Sequence, residues 1–205
     1  MRKYIVELIG TFFLVTAIGM SGGAGNLAPL AIGATLMIMV FAGGHISGAH
    51  YNPAVTVAVL VRGKIGIMDA IAYILVQVVG AVLAALLVTW LNEMNGEAIG
   101  MADTTRGLAA ELLGTFALAY VVLNVATAKG TTGNSFYGLA IGFTVLAMAY
   151  LFGGISKGAF NPAVAIGLSV LKIAPWNDQW VYVAGCFGGA ILAAIIFRVL
   201  NPEDK

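Results

Sequence analysis

The chain is 205 residues long, with 60% of them hydrophobic, only 9% charged, and a mean hydropathy of +0.98. A soluble domain carries roughly a quarter of its residues as charges, so this composition excludes one and indicates a membrane protein. A net charge of +1 gives no basic surface for nucleic acid, and the single cysteine, Cys186, permits no internal disulfide and fits no metal-ligand spacing.

In chain order, apolar runs of about 20 residues, the length that crosses a bilayer, fall at 4–21, 28–46, 67–91, 106–128, 135–154 and 178–199. The first, which begins within MRKYIVELIGTFFLV, follows a basic start but precedes no small-residue cleavage site, and reads as a span rather than a signal peptide. Two apolar stretches are left over: AVTVAVLV after Pro53 and AVAIGLSVL after Pro162. Each is about ten residues, or roughly 15 Å of helix, half of a hydrocarbon core about 30 Å thick. Irregular backbone is not tolerated against lipid. Both are therefore expected inside the protein as re-entrant half-helices.

The chain repeats itself. LAIG at 30–33 recurs at 139–142, GGHISGAHYNPAV at 43–55 matches GGISKGAFNPAV at 153–164, and ELIGTF at 7–12 matches ELLGTF at 111–116. QVVGA at 77–81 answers CFGGA at 186–190, at the 109-residue offset that separates Asn52 from Asn161. Each copy, about 1–92 and 106–205 of one domain, holds three spans, so the second must enter the membrane inverted. Inverted repeats place their sites near the midplane, at the N-terminal ends of broken helices.

Those ends are Asn52-Pro53-Ala54 and Asn161-Pro162-Ala163. Asn is a preferred N-cap, and Pro suits the next position because it has no N–H to leave unpaired. With its oxygen used as a cap, each Asn is expected to keep its NH₂ free for a cavity. Two half-helices meeting tip to tip would also aim two positive dipole ends, about half a charge each, at the centre. Neutral hydroxyl solutes and water can accept from those donors, whereas cations and protons are opposed.

The paired NPA boxes, SGAHYNPAVT, the two E-L-x-G-T-F segments and the inverted halves resemble the aquaporin, or major intrinsic protein, family along nearly the whole chain. The resemblance implies an all-α membrane fold of six tilted spans plus two half-helices. It also implies a homotetramer in the lipid bilayer with one pore per subunit, carrying water and small neutral solutes. Neither an enzymatic activity nor a cofactor is expected. By the same resemblance, Glu7 and Glu111 are buried acceptors for the re-entrant N–H groups, the alternative being carboxylates at the water interface. His50 then lines the cytoplasmic half of the pore with His45 packed near it. Two histidines without a third ligand make a metal site unexpected.

The sequence departs from the family after the second box, where NPAR is usual and Val164 stands instead. The other filter positions fall on Ile32, Ala149 and Gly158, an apolar and wide set, so strict water selection is not expected. Lys157, four residues before Asn161, is a candidate replacement for the missing cation at the outer mouth. The alternatives are a coupled small-solute transporter, which would need ionisable midplane groups, and a structural membrane protein with a closed pore. Neither box has an ionisable neighbour of that kind in sequence.

With the N-terminus inside, Arg2, Lys3, Arg62, Lys64, Lys129, Arg198 and Lys205 are cytoplasmic, against Arg106, Lys157 and Lys172 outside, in keeping with the positive-inside rule. Glu93, Glu97 and Asp103 fall in the outer segment. Both termini are thus expected in the cytoplasm, and the short loops point to a prokaryotic inner membrane.

Overall fold

The structure, a computed structural model, describes residues 1–92 and 97–204; Glu93 and Lys205 of the charge pattern lie outside the described residues. The helices are α1 (Arg2–Met20), α2 (Ala28–Ser47), α3 (Pro53–Arg62), α4 (Ile67–Asn92), α5 (Thr104–Val122), α6 (Tyr137–Ser156), α7 (Pro162–Val170) and α8 (Gln179–Leu200). No strand occurs among the described residues.

Six of these have the length of a span. Apolar helix runs continuously enough over Arg2–Ser47 to count as a single 46-residue stretch, about 69 Å at 1.5 Å per residue and twice the thickness of a hydrocarbon core. The 3₁₀ segment Ser21–Leu27 divides it into α1 and α2, with Gly25 at φ +52, ψ −126 making the break. The fifth span is modified at its end: α5 gives way to a π-turn over Leu123–Thr127. The two leftovers are helices of 10 and 9 residues, too short to cross.

Each half-helix packs on the opposite half of the chain, α3 against α8 and α7 against α4, while α1 pairs with α4, α5 with α8, and α2 with α6. Small residues permit these contacts. A Cβ on Gly80 would meet the Leu8 carbonyl at 2.5 Å, and one on Gly33 the Gly142 carbonyl at 2.6 Å. Gly189 is equally tight against Leu112, whereas the neighbouring Gly188 has ordinary room at 3.7 Å. Ala84 and Ala85 of α4 and Ala190, Ala193 and Ala194 of α8 are wholly buried, while Phe13, Leu75, Leu83 and Phe143 face outward. An apolar exterior over a small-residue interior is the packing of an integral membrane protein, where helices gain from close approach rather than from hiding oily side chains.

On one face, the tail closes the bundle. Asp204 pairs with Arg62 at the end of α3 and accepts from the Lys129 N–H at 2.7 Å. Arg198 donates to the Val61 carbonyl nearby.

Candidate functional site

The two half-helices begin where the sequence places them. Asn52 is in extended conformation and its Oδ1 accepts from the N–H groups of Ala54 (2.8 Å) and Val55 (3.4 Å). Asn161 does the same for Ala163 (3.0 Å) and Val164 (3.4 Å). Pro53 and Pro162 occupy the first helical position, where the absent N–H leaves nothing unsatisfied.

The amide nitrogens correct the expectation of a wholly free NH₂. Asn52 Nδ2 donates to the Phe160 carbonyl and Asn161 Nδ2 to the Tyr51 carbonyl, each at 2.9 Å. An amide carries two N–H donors, so one per box is spent crossing to the other half and one remains, beside the cavity that both asparagines line. Tyr51 and Phe160, the accepting residues, lie at φ +49 and +48, the left-handed region that non-glycine residues enter at a cost.

Behind each box stands a carboxylate, fully buried rather than at a water interface. Glu7 Oε1 accepts from Ser47 Oγ (2.7 Å) and the His50 N–H (2.9 Å), and its Oε2 from the Tyr51 N–H (2.6 Å) and Gln77 Nε2 (2.8 Å). Glu111 Oε1 accepts from Ser156 Oγ (2.6 Å) and the Ala159 N–H (3.0 Å), and its Oε2 from the Phe160 N–H (2.6 Å). The fourth partner is only the Cys186 thiol, at 3.5 Å. The fold thus brings ionisable groups behind the boxes that the sequence did not place beside them. Their oxygens are committed to holding backbone, which leaves little for coupling to an ion.

The four filter candidates Ile32, Ala149, Gly158 and Val164 all line one cavity of about 280 Å³, together with Asn52, Asn161 and His50. Lys157 caps α6 in left-handed conformation at φ +70 and lies exposed at the rim of the same cavity. A second cavity of about 470 Å³, lined by Lys3, Lys64, Asp69 and Tyr73, reaches His50 from the other side. His45, expected to pack near the pore, is exposed and borders a separate cavity with Tyr137. No group of three possible metal ligands exists among the described residues.

Sequence reasoning missed Gln77, Thr56 and Val122. Gln77 Nε2 bonds Thr56 Oγ1 (3.1 Å), which lies 3.1 Å from His50 Nδ1, so a polar chain runs from Glu7 to the cavity wall at His50. The repeat could have pointed to it: Gln77, Thr56 and His50 correspond to Cys186, Ala165 and Ala159 at the 109-residue offset, so the chain exists in one half alone.

A family model described as "Major intrinsic protein" matches residues 1–197. The "Glycerol uptake facilitator protein-like 6" of Lactiplantibacillus plantarum is 36% identical over the whole of both chains. The "Aquaporin NIP1-1" of Zea mays is 33% identical over all of this chain and 76% of its own length. Among solved structures, the aquaglyceroporin from Plasmodium falciparum superposes with a TM-score of 0.82 at 23% identity, covering 98% of this chain and 97% of the other.

Proposed function

Because the chain belongs to the major intrinsic protein family and is a passive membrane channel for water and small solutes, we propose that glycerol and urea, rather than water alone, are what its pore is shaped to carry. The observation that carries this reading is Val164, which is 2% exposed and lines the cavity where the family's arginine is expected. A guanidinium there would narrow the mouth and hold a charged, hydrated head in it. With Val164, Ile32, Ala149 and Gly158 the wall is apolar and short of bulk, and a polyol can turn its C–H face to it. The relative named a glycerol uptake facilitator supports the same substrate class.

The passage is then a matter of donors and fields. A neutral solute leaves outer water, slides along the apolar wall and meets the spare N–H of Asn52 and of Asn161 at the two helix tips. Each tip carries the positive end of a half-helix, so a cation meets repulsion without compensating acceptors. Lys157 at the rim adds a further positive charge. Pro53, Ala54, Pro162 and Ala163 shape the tips, and Glu7 and Glu111 hold the strained residues that precede them.

The remaining features belong to the same reading. The two halves form one pore-bearing unit of inverted repeats, assembled as a homotetramer in the bilayer. Both termini face the cytoplasm of a prokaryotic inner membrane. The clustering of Arg62, Lys129, Arg198 and the tail on one face supports that orientation.

Stopped-flow light scattering on proteoliposomes tests the substrate. Glycerol and urea are expected to enter together with water, ammonia serving as the smallest control. Fast osmotic shrinkage with no solute entry would overturn the proposal.

A further inference from the structure

The outer cavity runs from Ala28 and Lys157 at its rim past Ile32 and Val164 to the box asparagines, and ends at His50. The opposite cavity enters from Lys3 and Lys64 and ends at the same place. Among the described residues, two border both cavities: His50 and Val122. The outer quartet thus borders one cavity alone, and the two cavities adjoin beyond the boxes, where His50 and Val122 line both. Resting on the reading of a neutral-solute channel, we infer that this pair, and not the outer quartet, is the neck that sets which solutes pass by size.

The neck is built to keep its shape. His50 is held by its N–H on Glu7, by Nδ1 against Thr56, and by an edge-on contact with Tyr73 at a ring separation of 5.2 Å. Val122 is the last residue of α5, where the helix passes into the π-turn, and is 6% exposed. Its β-branched side chain has few rotamers. Neither wall can swing aside as a long side chain would. The repeat partner of His50 is Ala159, so the outer half has no matching obstruction.

The neck also has a chemical side. The Thr56 hydroxyl has one hydrogen and stands 3.0 Å from the Asn52 carbonyl, which can only accept. Its oxygen already accepts from Gln77, whose other amide hydrogen goes to Glu7. His50 Nδ1 is then the donor to Thr56, and Nε2 is an acceptor. The boxes offer hydrogens and the neck offers a lone pair opposite methyl groups. A solute with hydroxyls along one edge and C–H along the other fits that order; a wider one is stopped by Val122.

The test compares wild-type protein with Val122→Ala, Val122→Leu and Ile32→Ala in proteoliposomes, measuring entry of glycerol and of the longer polyol erythritol. Val122→Ala is expected to raise the erythritol-to-glycerol permeability ratio roughly tenfold, the low end of what a methyl-sized change decides in a tight site. Val122→Leu should lower it, and Ile32→Ala should move it far less than Val122→Ala. A ratio that responds to Ile32 as strongly as to Val122, or to neither change at Val122, overturns the neck. If Val122→Ala yields no folded protein, the Leu variant decides alone, and an unchanged ratio overturns it. Failure of the functional reading looks different: wild-type vesicles would then admit no polyol at all.

Discussion

The side-chain nitrogen of Asn52 lies 2.9 Å from the carbonyl oxygen of Phe160, and Asn161 makes the same 2.9 Å bond to Tyr51. Each accepting residue is in the left-handed region, a conformation costing about 1–3 kcal/mol without glycine. Each is held from both sides, by a carboxylate on its N–H and by the opposite asparagine on its carbonyl. The meeting point of the two half-helices is thus a braced object whose two halves complete one another.

That bracing makes Glu111 vulnerable. Glu111→Gln replaces one acceptor oxygen by an NH₂ that faces the N–H groups of Ala159 or Phe160, leaving a buried donor unpaired at about 1–3 kcal/mol. A lower melting temperature in detergent and a several-fold loss of glycerol flux are expected. Unchanged values of both would mean that Glu111 does not hold the second box.

At the outer mouth, Val164→Arg should restore a charged constriction. Glycerol and urea permeability are expected to fall about tenfold, corresponding to roughly 1.4 kcal/mol at the barrier, with a smaller effect on water. Equal loss of all three would point to simple blockage and not to filtering.

Lys157 offers a subtler measurement. Its exposed ammonium is screened by salt, so Lys157→Ala should raise proton leak about twofold at low ionic strength and by less at high. Leak and solute flux both unchanged at low salt would strip Lys157 of a role at the mouth.

On the opposite face the tail is tied by Asp204. The Lys129 N–H holds its carboxyl below the usual 3.8, with burial opposing and the Arg62 charge assisting. A folded value below the unfolded one means that the tie is fully present above the unfolded value and lost as pH falls through the folded one. Hydrogen exchange of the segment around Lys129, corrected for intrinsic rate, should therefore increase below about pH 3.8 and in Asp204→Asn already at neutral pH. Protection that survives the substitution would show that the tail is secured by other contacts.

Much of the architecture was legible in the sequence because hydrophobic length is a direct consequence of bilayer thickness. The six spans begin and end within a few residues of the apolar runs, and Asn-Pro at 52–53 and 161–162 marks the half-helix starts through cap chemistry alone. What escaped depends on contacts between distant positions. The Asn52–Phe160 bond spans 108 residues, and no local pattern announces that half of the amide is already spent. Gln77 and Val122 look like ordinary helix residues in sequence; only packing turns the first toward Glu7 and sets the second on the border of both cavities. Gly188 and Gly189 set a further limit, since a small residue at a helix contact and a small residue beside one read identically in sequence.

The crossed amide bonds bear on how the chain matures. When the first copy emerges from the ribosome, the Asn52 donor and the Tyr51 acceptor have no counterparts until the second box is made, 109 residues later. Neither copy can finish its own centre, so assembly ends in one late event in which both tips lock together. A gene cut between the repeats would encode two fragments that must find each other before either is whole.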